Sequence, residues 1–301
     1  MPFMNSTEQH QIHPNALEYE ISEERYAIIN DVQIYYECKN DSSSSEQTAI
    51  LLIHGWTANR LRLHPLYIQL AQSQYPVFRL DLRGHGWSQK QATNDFSFET
   101  MKKDIDKFIQ KVILAKFNFK KVVIIAHSMG GCISQLLAIE QPEYLEKLVL
   151  IATSAYWVDR PFAKILYWFF IQYYKKHFWQ KYLGKKAGHE PLGLEHFPMW
   201  GTKYNTGGRT LFTSYAATIQ GLENMRLFDI RNLLPRINVS TLILVGDEDI
   251  DAPIRYSKVL NQLIRKSQLI IVPEANHDVA IGKAVTTFQY IDRFLKEKEE
   301  K

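Results

Sequence analysis

The sequence predicts an α/β protein built on a mostly parallel sheet with helices on both faces. Short runs rich in β-branched residues alternate with segments whose apolar residues recur at helical spacing, as a parallel sheet with crossover helices requires. The 301 residues, 46% of them hydrophobic, suffice to bury one large core. The alternation breaks once, beyond the strand that ends near Ala152. The chain therefore divides into a loose polar arm over 1–22, a first core portion over 23–153, a helical insertion over 154–227 and a second core portion over 228–301.

Each element has a local reason. The arm lacks apolar periodicity. Two strands, Arg25 to Ile29 and Val32 to Cys38, flank Asn30-Asp31, a pair that tolerates the left-handed backbone of a tight hairpin. A polar loop over 40–47, with four consecutive serines, precedes the buried strand Thr48 to Ile53, which stops at His54-Gly55-Trp56. A helix from Leu63 to Ser73 leads to a strand from Val77 to Leu82, and this closes on the run from Asp81 to Ser88, DLRGHGWS. Residues 98–117 read as one helix, with Met101, Ile105, Phe108, Ile109 and Val112 on its apolar face. A buried strand, Val122 to Ile125, is followed by a helix from Met129 to Glu140 that stops before Pro142, and then by a strand from Leu145 to Ala152. After the insertion come strand Ser240 to Val245, helix Ile254 to Arg265, strand Gln268 to Val272 and helix Val279 to Lys296, giving eight strands in all.

The stretch Lys121 to Cys132, KVVIIAHSMGGC, implies strand, sharp turn and helix in that order. A serine at such a turn takes a strained, φ-positive backbone, so the residues two before and two after it must be small. Ala126 and Gly130 are small, and A-H-S-M-G is a one-methyl variant of the G-x-S-x-G nucleophile elbow with Ser128 as candidate nucleophile. With His54-Gly55-Trp56, the DLRGHGWS run, Gly246-Asp247-Glu248-Asp249 and Asn276-His277 in the same order, the chain from about residue 25 to 297 resembles the α/β-hydrolase superfamily. It is most similar to capped serine hydrolases of the monoacylglycerol lipase, carboxylesterase and carbon–carbon bond hydrolase type. The insertion then reads as a cap over the site at the C-terminal ends of the strands.

Serine is a weak nucleophile at neutral pH, so a neutral imidazole must take its proton during attack and return it to the leaving group. His277 fits, because it follows a late strand and opens the loop before the last helix, as the order Ser…Asp…His places it. His54, His85 and His127 read as loop-holding residues, with His127 turned away from the imidazole partner of the serine. The orienting acid belongs just beyond strand Ser240 to Val245, where Asp247, Asp249 and Asp251 all qualify by spacing. The resemblance selects Asp249, three residues after Gly246 and ahead of Pro253. A calcium loop is excluded, since its sixth position requires glycine and holds Ala252. No metal site is expected. Backbone N–H donors for a developing oxyanion would come from Met129 and, as the resemblance implies, from Trp56. Serine rather than aspartate at the elbow points to an acyl-enzyme and away from alkyl-enzyme chemistry. No dinucleotide fingerprint, Walker loop or zinc spacing appears, so no cofactor is expected.

The insertion carries FAKILYWFFIQYYKKHFWQKY over 162–182. Its rings either line an apolar pocket, with Tyr156, Trp157, Trp168, Tyr174 and Trp179 as candidates, or face a lipid aggregate. Lys164 and Lys175 bound an uncharged run of ten residues, too short to span a membrane. Both readings imply a carboxylic ester or thioester with an apolar acyl or aryl part. Hydrolysis of a carbon–carbon bond in ring-cleavage products is the enzymatic alternative, and acyl transfer to an alcohol stays open. A non-catalytic ligand receptor on the same fold is the alternative of another class, against which the intact Ser128, Asp249 and His277 argue. A net charge of +4 without a basic stripe argues against nucleic acid. Cys38 and Cys132, far apart in sequence, suit reduced thiols, and the polar N-terminus lacks a secretory signal, so a cytoplasmic protein is expected.

Overall fold

The computed structural model describes residues 25–40, 47–89, 95–182 and 213–297, with side chains omitted over 177–182. All of the expected arm, residues 41–46 of the serine-rich loop and the Trp179 side chain lie outside these residues. Strands β1 (Arg25–Ile29) and β2 (Val32–Lys39) form the hairpin, with Asn30 and Asp31 both left-handed at φ 47° and 63°. Strand β3 (Thr48–Ile53), helix α1 (His64–Gln72) and strand β4 (Val77–Leu80) follow. Next come helix α2 (Phe98–Phe108), strand β5 (Lys121–His127), helix α3 (Met129–Ile139) and strand β6 (Leu145–Ile151). The insertion contributes α4 (Pro161–Tyr182) and α5 (Tyr215–Leu227). The chain then completes β7 (Ser240–Gly246), α6 (Ile254–Leu263), β8 (Ser267–Val272), α7 (Val279–Gly282) and α8 (Ala284–Lys296).

The eight strands form one sheet in the order β1-β2-β4-β3-β5-β6-β7-β8, antiparallel at β1/β2 and β2/β4 and parallel elsewhere. Alternate side chains of the central strands enter two cores. Leu51, Ile53, Ile124 and Leu148 pack with α2, α3 and Leu260 of α6, while Leu52, Ile125 and Val149 pack with α1 and α8. This two-sided burial is why the strands read as continuous apolar runs.

Three elements depart from the sequence expectation. Strand β4 ends two residues early because the Leu82 N–H turns out of the ladder and donates to His54 Nε2 at 3.0 Å. The helix expected over 98–117 widens after Phe108 into a π-helix, Ile109–Lys116, closed by Phe117 N–H donating to Val112 at 3.1 Å. That wider turn keeps Ile109, Val112 and Ile113 all buried. The last helix is broken at Lys283, where φ is −121° and the Thr287 hydroxyl donates to the Val279 carbonyl at 3.0 Å.

The DLRGHGWS run is a folded brace. Asp81, fully buried, accepts from Arg60 N and Nη1 at 2.7 Å each and from Trp87 N at 2.8 Å. Gly86 has φ 50°, and a methyl there would fall 2.2 Å from an Asp81 oxygen, so only glycine lets the turn close over the carboxylate.

Candidate active site

β5 runs straight into Ser128, whose φ of 53° and ψ of −121° are the strained values expected of the elbow. The surroundings hold that conformation on both sides: Ser128 N–H donates to Ile151 O at 2.9 Å, and the Thr153 hydroxyl donates to Ser128 O at 2.7 Å. A methyl on Gly130 would come 2.5 Å from His54 O, which is the packing reason for a small residue two positions after the serine. Met129 is the first residue of α3, so its N–H lacks an intrahelical acceptor and lies at the positive end of the helix dipole.

The loop after β8 brings His277 to this serine. His277 Nε2 is 3.0 Å from Ser128 Oγ, and its Nδ1 is 3.0 and 3.1 Å from the two Asp249 oxygens beyond β7. With Nδ1–H donating to the carboxylate, the Nε2 lone pair faces the serine hydroxyl. Burial works to raise the Asp249 pKa. The hydrogen bond and charge of His277, with the N–H groups of Ala252 and Asp251, outweigh it and hold the group below the usual carboxylate value. Asp247 is exposed and accepts instead from Ala275 N at 3.2 Å, bracing the loop that carries His277. Gly246 lets the loop approach, since a methyl there would sit 2.0 Å from Ala275 O. Asp249, Asp251 and His277 present atoms within 4.8 Å of one another. The Asp249 oxygens already accept from His277 Nδ1–H and from the N–H groups of Asp251 and Ala252.

The loop after β3 lies against the serine, for a methyl on Gly55 would be 3.0 Å from Ser128 Cβ. Trp56 leaves this loop toward α5: its indole N–H donates to Thr218 O at 2.9 Å, and its Cδ1 lies where a methyl on Gly221 would be, 2.6 Å away. α5 is tied down further by Ser214 N donating to Gly84 O at 2.7 Å and by Asn224 Nδ2 donating to Phe96 O at 2.9 Å. The insertion therefore bears directly on the loop beside Ser128.

His54 and His85 hold loops as expected, His54 Nδ1–H donating to Gly55 O at 2.9 Å and His85 Nδ1 meeting Arg83 O at 2.8 Å. His127 corrects the expectation that it turns away from the serine's partner. Its Nε2–H donates to the His277 carbonyl at 2.9 Å, and the two rings lie 4.9 Å apart. Sequence spacing gave no sign of this contact, because it joins residues 150 apart. Burial, reinforced by nearby charge, lowers the pKa of His54 to about 4 and of His127 to about 3. Both are neutral in the native state at pH 7, so between about 6.5 and those values the unfolded chain binds more protons. Their contribution to stability is full above pH ~6.5 and falls by about 1.4 kcal/mol per pH unit for each imidazole on acidification. Calorimetric melts between about pH 7.5 and 5 are expected to show a falling Tm, and His127→Gln should flatten the profile.

Among the candidates on the insertion, Trp157 donates its indole N–H to Cys132 Sγ at 3.2 Å, one turn beyond Ser128 on α3. Tyr156 packs edge-on to Tyr256 at 5.0 Å. Tyr174 is half-buried against the core, whereas Trp168 is 41% exposed.

Residues 48–284 match the alpha/beta hydrolase fold family. The hydrolase YugF of Bacillus subtilis, itself uncharacterized, is 24% identical over 285 residues, covering 92% of this chain and 99% of that protein. The pimeloyl-[acyl-carrier protein] methyl ester esterase of Wigglesworthia glossinidia brevipalpis is 26% identical over 262 residues, 82% of this chain and 93% of its own. Among solved structures, the esterase EaEST from Exiguobacterium antarcticum superposes with a TM-score of 0.72 at 23% identity, covering 91% of this chain and all of that one. With its sheet order, its elbow and these relatives all in agreement, the chain belongs to the alpha/beta hydrolase fold family.

Proposed function

We propose that this protein is a serine hydrolase that cleaves a carboxylic ester or thioester with an apolar acyl or aryl part. The observation that carries the reading is the chain of contacts from Ser128 Oγ through His277 to Asp249, each link 3.0 to 3.1 Å. In the proposed reaction Ser128 Oγ attacks the carbonyl carbon as its proton passes to His277 Nε2, and Asp249 stabilises the imidazolium. The N–H groups of Met129 and Trp56 receive the carbonyl oxygen as it becomes negative. Collapse expels the alcohol or thiol, which takes the proton from Nε2, and water then repeats the sequence on the acyl-enzyme.

The insertion acts as a cap in this reading, with Trp157 and Tyr156 at its base and α5 setting the position of the Trp56 loop. The relatives with esterase names support the ester class. A cytoplasmic location accords with Cys38 and Cys132, which are both buried and not bridged to one another.

A panel of monomeric esters with about two to twelve acyl carbons tests the substrate class. Each methylene that enters an apolar pocket is expected to raise kcat/KM up to about fourfold, or about 0.8 kcal/mol, until a definite length at which the gain stops. A flat profile together with rapid turnover of a vinylogous diketone acid would replace the ester reading with carbon–carbon bond hydrolysis.

A further inference from the structure

Helix α4 is apolar on two opposite faces. One packs inward through Ile171, which is fully buried, and through the half-buried Tyr167 and Tyr174. The other presents Phe162, Ile165, Leu166, Phe169, Phe170 and Tyr173 to solvent, from 49% to 70% exposed. Those six recur at i, i+3, i+4, i+7, i+8 and i+11, which makes one continuous stripe about 17 Å long on the outer side. A soluble helix ordinarily turns such a stripe to the core, whereas among the described residues this one stays exposed and offers a surface for a partner.

Charge identifies the occupant. From Arg160 to Lys186 the chain carries seven basic and no acidic side chains. Arg160 stands at one end of the stripe and Lys176, exposed, at the other, whereas Lys175 turns inward to Glu223. Acidic groups beside the helix already have basic partners: Asp159 and Asp229 pair with Arg231 at 2.7 and 2.6 Å, and Glu223 pairs with Arg226 at 2.9 Å and Lys175 at 3.6 Å. A second copy of the chain fits poorly, because twofold pairing of two α4 helices sets basic end against basic end. Aromatic and aliphatic side chains between basic ends suit an interface of acyl chains beneath anionic headgroups. No described helix is long and apolar enough to cross a membrane, so the contact is one of lying on the surface.

We propose that the outer face of α4 docks the protein peripherally on an anionic lipid bilayer, with the aromatic stripe entering the headgroup–acyl boundary and the flanking basic residues on the headgroups. The inference does not depend on the serine chemistry, and its test reads binding without turnover.

The test is flotation of the full chain with vesicles of phosphatidylcholine alone or with about 30% phosphatidylserine. Binding is expected to the anionic vesicles, weakening as salt is raised. Lys176→Gln should lower partitioning about fivefold on anionic vesicles and leave it unchanged on neutral ones. Phe169→Glu with Phe170→Glu should lower it at least about tenfold while the far-UV circular dichroism and melting temperature match the wild type, which shows the variant is folded. No binding of the wild-type chain overturns the proposal, since the stripe is then covered in solution. Binding that the Phe169/Phe170 variant retains also overturns it. So does a concentration-dependent dimer, detected by light scattering, that the same variant abolishes, because a second copy then occupies the face.

Discussion

Ser128→Ala is expected to reduce ester turnover by roughly 10⁵- to 10⁶-fold and to abolish covalent labelling by a fluorophosphonate, as removal of a nucleophile from an interlocked nucleophile–base unit does. The magnitude follows from geometry. Ser128 Oγ is the hydroxyl within 3.0 Å of His277 Nε2, on a backbone that projects it from the end of β5. Alanine keeps a Cβ, so the strained φ of 53° is neither relieved nor worsened. The hydrogen bonds that fix this residue run through its main chain to Ile151 and Thr153 and survive the substitution. An unchanged melting temperature with lost labelling separates chemistry from folding. Undiminished labelling of the variant would remove Ser128 from its assigned role.

Asp249→Asn is expected to lower kcat by about 10⁴ with little change in KM. A carboxamide can turn its NH₂ toward His277 Nδ1, which places the ring proton on Nε2, where it faces the serine and cannot accept. Asp249 has no exposed side-chain surface, and its oxygens receive Asp251 N at 2.9 Å and Ala252 N at 2.7 Å, so the residue has no room to escape the pairing. Asp247→Asn keeps an acceptor for Ala275 N and is expected to change kcat by less than about tenfold, as exposed substitutions do. Steady-state kinetics of the two variants decides between the carboxylates. The opposite ranking would move the orienting acid to Asp247.

Helix, strand and elbow were legible in the sequence because each rests on local chemistry. The buried strands β3, β5 and β7 announce themselves as nearly continuous apolar runs, since both faces of a parallel sheet are covered. Asn30-Asp31 marks a hairpin because few other residues accept two left-handed positions in succession. Ala126 and Gly130 mark the elbow because strand and helix can meet there only without bulk. Position in the strand order also pointed to the loops that carry Asp249 and His277. Composition placed an aromatic, basic helix in the insertion but could not orient it, because α4 is apolar on both sides and its period has no polar face to read.

Tertiary contact decided the rest. Spacing left Asp247, Asp249 and Asp251 open and the resemblance selected Asp249, but only the fold displays which carboxylate meets an imidazole 28 residues away, because spacing along the chain does not fix direction in space. The His127 contact to the His277 carbonyl and the Trp56 contact to Thr218 join residues 150 and 162 positions apart. Such pairs leave no periodic or compositional trace, because only the folding of the sheet brings their strands' ends together. The outward turn of the α4 stripe is of the same kind: Ile171, Tyr167 and Tyr174 outcompeted it for the interior by packing beside α5, and the sequence alone held both faces equally eligible.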